Sequence, residues 1–224
     1  QILGNGFYIY QFDVKKDSCI INTVLIDLDP WPNGFYEYDD GNNLPFLFSA
    51  TCLIKTDTFL ITGGCFFELN EMNCLDPLEL KDCYFLKIDS KRTPMSAKLS
   101  SAPAMLIPRI NHSIYKLNND DVVVAGGISL TIHSKSCEIY NSKSKLWEGL
   151  PGLNIPRAKS VLFELNEYLY IYGGFSDMNV IADSMERLQI SNKKSWEKLE
   201  IKVLGFCVGS YALKTDQEDE ILIL

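Results

Sequence analysis

The sequence predicts an all-β chain assembled from repeated four-stranded units, and three observations carry that prediction. Apolar clusters are short and rich in β-branched and aromatic residues, at 7–12, 20–28, 59–62, 83–88, 122–125, 168–172 and 221–224. Polar turn sequences such as Asn118-Asn119-Asp120-Asp121, Asn141-Ser142-Lys143-Ser144 and Ser191-Asn192-Lys193-Lys194 divide them, the rhythm of strands joined by tight turns. No long window combines a helical apolar period with caps, so no long helix is predicted.

Self-similarity sets the architecture. Ile107-Pro108-Arg109 recurs as Ile155-Pro156-Arg157, and Trp147 recurs as Trp196. A Gly-Gly pair closes an apolar strand at Gly63-Gly64, Gly126-Gly127 and Gly173-Gly174. The markers keep one order and a period of about 48 residues, within the range of four-stranded propeller blades. In each unit the first strand follows Pro-Arg (111–117; 159–165) and the second runs into Gly-Gly. The third follows at 136–140 and 185–190, and the fourth starts near the Trp. Glycine suits a backbone that turns sharply and packs closely, and Trp is large enough to fill a wedge between blades.

This pattern resembles the kelch repeat, in which an apolar strand ends in Gly-Gly, an aromatic-bearing third strand follows, and a polar turn leads to Trp. The resemblance covers nearly the whole chain and implies a kelch-type β-propeller of four-stranded antiparallel blades. In chain order the expected units are a partial blade at 1–28 (strands three and four), blades at 46–104, 107–150 and 155–201, and a partial blade at 204–224 (strands one and two). That is four to five blades, and kelch rings commonly have six, so the chain reads as part of a propeller.

Composition bounds the function. The chain has 224 residues, 46% hydrophobic, with 21 basic and 29 acidic residues and a net charge of −8. This globular, acidic balance predicts neither nucleic-acid nor membrane partners. Apolar runs stay far below the roughly eighteen residues of a membrane span. Seven cysteines form no C-x-x-C pair, and with two histidines the ligands for a metal cluster are missing. Free thiols in a reducing, cytoplasmic setting are expected, with no metal and no cofactor.

In an up-and-down blade the 2–3 and 4–1 connections share one face. Two long ones are expected there. Residues 29–45 carry Trp31, Phe35, Tyr36, Tyr38, Asp39 and Asp40, and residues 65–82 carry Phe66 and Phe67. Long connections with aromatics are where binding concentrates. Arg109 and Arg157 begin first strands on that face, and the resemblance implies that they line the channel mouth and meet carboxylates of an acidic ligand. No nucleophile elbow, H-E-x-x-H or phosphate loop is present. The expected function is therefore a non-catalytic adaptor or scaffold that binds another protein, such as a cytoskeletal protein or a ubiquitin-ligase substrate. The alternative is a kelch-type enzyme acting on a carbohydrate, as a sugar mutarotase or an oxidase.

Overall fold

The computed structural model describes residues 6–13, 18–27, 48–69, 75–91, 96–178, 180–200, 212–214 and 221–223. Every element in them is a strand. A first hairpin joins β1 (Gly6–Asp13) to β2 (Ser18–Asp27). Three four-stranded antiparallel units follow, each with a small hairpin inserted between its second and third strands. The first unit contains β3 (Ala50–Lys55), β4 (Thr58–Thr62), β7 (Cys83–Asp89) and β8 (Ser96–Ala102), with hairpin β5 (Cys65–Leu69) and β6 (Leu75–Glu79). The second contains β9 (Ser113–Lys116), β10 (Val122–Ala125), β13 (Cys137–Asn141) and β14 (Leu146–Leu150), with hairpin β11 (Ile128–Ser129) and β12 (Ile132–His133). The third contains β15 (Val161–Leu165), β16 (Tyr168–Tyr172), β19 (Met185–Gln189) and β20 (Glu197–Leu199), with hairpin β17 (Phe175–Asp177) and β18 (Val180–Ile181). A last hairpin pairs β21 (Ala212–Lys214) with β22 (Ile221–Ile223).

Within each unit the strands order one-two-three-four, the up-and-down pattern of a propeller blade. The first hairpin attaches at the outer edge of the first blade, where β2 runs parallel to β8 with Leu25 opposite Ser96. An unpaired outermost strand offers a free row of backbone groups, and a neighbouring strand that takes it up satisfies both.

Strand β10 shows why the second strands read as continuous apolar runs. All four of its residues are buried, because both faces of the blade are covered. Val122 and Val124 point to the first blade, where Leu60, Cys83, Met105 and Trp147 pack around them. Val123 and Ala125 point to the third, against Leu162, Leu169, Ile171 and Trp196. The period-two alternation of a strand thus sends consecutive side chains to opposite neighbours. From the third blade, Val161, Phe163 and Tyr172 pack toward Ala212, Ile221 and Ile223 of the last hairpin. The core is a series of layers between blades.

Candidate functional site

The short connections between blades are built by backbone groups. Gly64 N donates to Arg109 O at 3.0 Å, and Gly127 N donates to Arg157 O at 2.7 Å, each reaching into the following blade. The glycines stand at positive φ, and a Cβ on Gly127 would lie 2.6 Å from Ile110 O and 2.8 Å from the His112 Cβ. A Cβ at Gly127 thus collides with the start of its own blade and one at Gly126 with Arg157 O of the next, so the pair is glycine for space as well as for conformation. The tryptophans close the same seams. Trp147 Nε1 donates to Pro103 O at 2.8 Å and Trp196 Nε1 to Pro151 O at 2.9 Å, with both indoles buried between blades.

Arg109 and Arg157 are fully enclosed. Arg109 Nη2 lies 2.6 Å from Glu138 Oε1, and its Nη1 donates to the carbonyls of Gly126 and Ser136. Arg157 repeats the arrangement, with Nε 3.2 Å from Glu186 Oε1, Nη1 on Gly173 O and Nη2 on Ser184 Oγ. Each glutamate also accepts from the incoming connection: Leu106 and Ile107 N bond to Glu138, and Asn154 and Ile155 N to Glu186. The expectation that these arginines meet an acidic ligand is corrected. Their charge is already neutralised inside the blade, and exposing it would strand a buried glutamate. Burial pulls the Arg157 guanidinium down from its ordinary value, and Glu186 opposes that shift. Glu138 and Glu186, which the motif reading did not single out, each follow their arginine by 29 residues. In the first blade the aligned third-strand position is Tyr84 and the aligned arginine position is Phe46, so both partners change together.

Inner strands β3, β9 and β15, with Ala212 of β21, line an open cavity of about 580 Å³. Asn111, Ser113, Tyr115, Lys159 and Ser160 contribute its polar lining. Ser113 Oγ donates to Ser160 O at 2.6 Å and lies 2.7 Å from Ser160 Oγ. At its mouth a backbone relay passes from blade to blade: Asn111 N donates to Phe48 O at 2.9 Å, and Lys159 N donates to Asn111 O at 2.7 Å. All three residues hold positive φ, at 60°, 53° and 55°. His112 is buried beside this relay, with Nε2 2.7 Å from Thr62 Oγ1. Thr62 Oγ1 also lies 3.3 Å from Ala50 O. Burial first, and then the Arg109 charge, hold this imidazole well below the usual histidine range.

The inserted hairpins and the 4–1 connections share one end of the molecule. Nine large apolar side chains are exposed among the described residues, and seven of them sit at this end. Leu130 and Ile132 crown the second hairpin and Met178 and Val180 the third, with Leu130 76% and Met178 83% exposed. Leu106, Ile107 and Phe48 lie in the interblade connections. The Leu130-Thr131 tip has both residues at positive φ, a conformation costly for a leucine. Glu79 of the neighbouring hairpin holds it there by accepting from Leu130 N at 2.5 Å and Thr131 N at 3.3 Å.

Of the binding residues expected from the sequence, Phe66 and Phe67 fall in strand β5 of the first inserted hairpin. Trp31, Phe35, Tyr36, Tyr38, Asp39 and Asp40 lie outside the described residues. The hairpins β11–β12 and β17–β18 escaped the sequence reading because strands of two or three residues show no alternation. The signal that could have found their tips was apolar residues standing in turn sequence, Leu130 and Met178.

No family model matches the chain. Over 102 residues, 46% of its length, it is 28% identical to an F-box/kelch-repeat protein of Arabidopsis thaliana, and the match covers 27% of that protein. The solved structure of YjhT matches with a TM-score of 0.64 at 13% identity, covering 92% of this chain and 63% of its own. The chain therefore spans about a quarter of the curated relative and under two thirds of the structural neighbour. Fold and repeat pattern together are those of kelch-type propeller blades. The expectation that the chain is not an enzyme is withdrawn, since the match to YjhT stands against it. The missing sequence motifs carry no weight here, because a propeller site draws single side chains from several blades and leaves no local spacing.

Proposed function

We propose that the chain is a protein-interaction module that docks a partner on the end formed by its inserted hairpins and 4–1 connections. One observation carries the reading: the exposed large apolar side chains gather at that end, on inserted hairpins and interblade connections, the Leu130 tip being held by Glu79 of the neighbouring hairpin. Apolar groups left in water on rigid supports mark docking surfaces. The name of the curated relative joins an F-box to kelch repeats, which supports an adaptor whose propeller holds the partner. The aromatic segment around Trp31, Tyr36 and Tyr38 enters the same reading by its sequence. Free thiols at Cys52, Cys65, Cys83 and Cys137 support a reducing compartment.

A photo-reactive residue placed at Ile132 or Met178 should form protein adducts in a lysate, and one at Lys143 on the opposite end should not. Equal adducts from all three positions, or adducts from Lys143 alone, would refute the docking face.

A second reading is favoured by the central cavity. Its polar lining of Asn111, Ser113, Lys159 and Ser160 suits a hydroxylated ligand such as a sugar. Exchange of sugar anomers followed by NMR, across a panel of monosaccharides, tests it. Exchange no faster than in buffer for every sugar would remove this reading.

A further inference from the structure

The β11–β12 hairpin turns through two residues, with Ser129 opposite Ile132, and Leu130 and Thr131 at its tip hold positive φ at 50° and 65°. A two-residue turn of that kind favours Asn and Gly, and a β-branched residue such as threonine resists it. The local sequence therefore opposes the conformation that holds Leu130 and Ile132 out in water. What supports it comes from another blade. Glu79 Oε2 accepts from Leu130 N at 2.5 Å and Glu79 Oε1 from Thr131 N at 3.3 Å, so both tip amides end on one carboxylate. Glu79 itself has little freedom. It pairs with the buried Cys65 at the base of the β5–β6 hairpin. The residue after it is tied on both sides, Leu80 N donating to Gly64 O at 2.8 Å and Arg109 N to Leu80 O at 3.1 Å. The third hairpin is braced within itself, with Met178 N on Asp177 Oδ1 at 2.7 Å and Ser176 Oγ on Val180 O at 3.3 Å.

We propose that Glu79 is a positioning residue for docking: from the first blade it sets the Leu130 turn of the second, and thereby where Leu130 and Ile132 meet the partner. This rests on the docking reading and adds how that end is adjusted. The two apolar tips differ in kind. The Met178 tip carries its own support, whereas the Leu130 tip follows the hairpin of the preceding blade. Displacement of β5–β6, or capture of the Glu79 carboxylate, therefore releases one tip and leaves the other in place. An ionised acceptor facing two adjacent peptide N–H groups belongs to the stronger class of hydrogen bond, which suits a contact that must outweigh an unfavourable turn.

The test follows water exchange of the Leu130 and Thr131 amides by NMR in the whole chain. Glu79→Ala should speed both about fivefold or more and leave the Met178 amide unchanged. Glu79→Gln keeps one acceptor oxygen and should fall between. Thr131→Gly relieves the turn, so Glu79→Ala made in that background should have a smaller effect. A thermal melt on each variant checks folding. With the photo-reactive residue in place, Glu79→Ala should cut adducts from Ile132 severalfold and preserve those from Met178. Unchanged exchange at Leu130 and Thr131 overturns the proposal, as does an equal rise at Met178. An equal effect of Glu79→Ala with and without Thr131→Gly also overturns it, and so does faster exchange with no loss of adducts from Ile132. Adducts absent at both Ile132 and Met178 in the parent protein would instead remove the docking reading and any docking role for Glu79, while the exchange rates still report the brace.

Discussion

Arg157 and Glu186 show how one pair fixes a blade. The guanidinium and carboxylate bind each other and the backbone on three sides, with no solvent to share the load. Arg157→Met leaves Glu186 charged, buried and unpaired, and should cost about 3–5 kcal/mol, read as a lowered urea midpoint. Adding Glu186→Leu should return much of that loss, because two apolar side chains carry no desolvation cost. His112 makes the second residue-scale prediction. Its folded-state value is depressed, so the unfolded chain takes up a proton first on acidification. Its contribution is complete above the ordinary histidine value near 6.5 and is lost as pH falls below it, with a slope of about 1.4 kcal/mol per pH unit. Urea titrations at several pH values should show that slope in the parent protein and lose it in His112→Gln.

At the scale of the element, the Gly-Gly corner and the tryptophan are what hold one blade to the next. Gly127→Ala adds a Cβ against Ile110 O at a positive φ, and should destabilise by more than about 2 kcal/mol in thermal melts. Trp196→Ala empties the layer lined by Ile139, Leu162 and Leu188, for a loss of about 3–5 kcal/mol. These corners were legible in the sequence, since Gly-Gly and Trp are rare enough to stand out at a fixed period. The glutamates were not. Glu138 and Glu186 repeat with the same period as their arginines, but a single acid in a strand resembles any surface residue until its burial is known. The inserted hairpins were hidden for a different reason. Their strands are too short to alternate, and what stabilises them lies in a neighbour, as with Glu79 and the Leu130 tip.

Across the whole molecule, stability in a repeat array is set by each unit and its interfaces. The second and third blades each contain an Arg–Glu pair, and the first has Tyr84 at the glutamate position. Amide exchange should therefore be faster in β3, β4 and β7 than in the matching strands of the other two blades, by mass spectrometry of peptic fragments. Equal protection in all three would show that the pairs contribute little to blade opening.

The relay at the cavity mouth has a consequence for how such a molecule acquires new chemistry. Its links run from peptide nitrogen to peptide oxygen, through Phe48, Asn111 and Lys159, and use no side-chain atom, although the positive φ at each station disfavours β-branched residues. Three equivalent stations around one opening thus carry a ring, an amide and an amine on the same geometry. Exchange at these stations alters what the opening attracts without altering how the blades are spaced. The bonds that space the blades thus leave the side chains at the entrance free to face the opening.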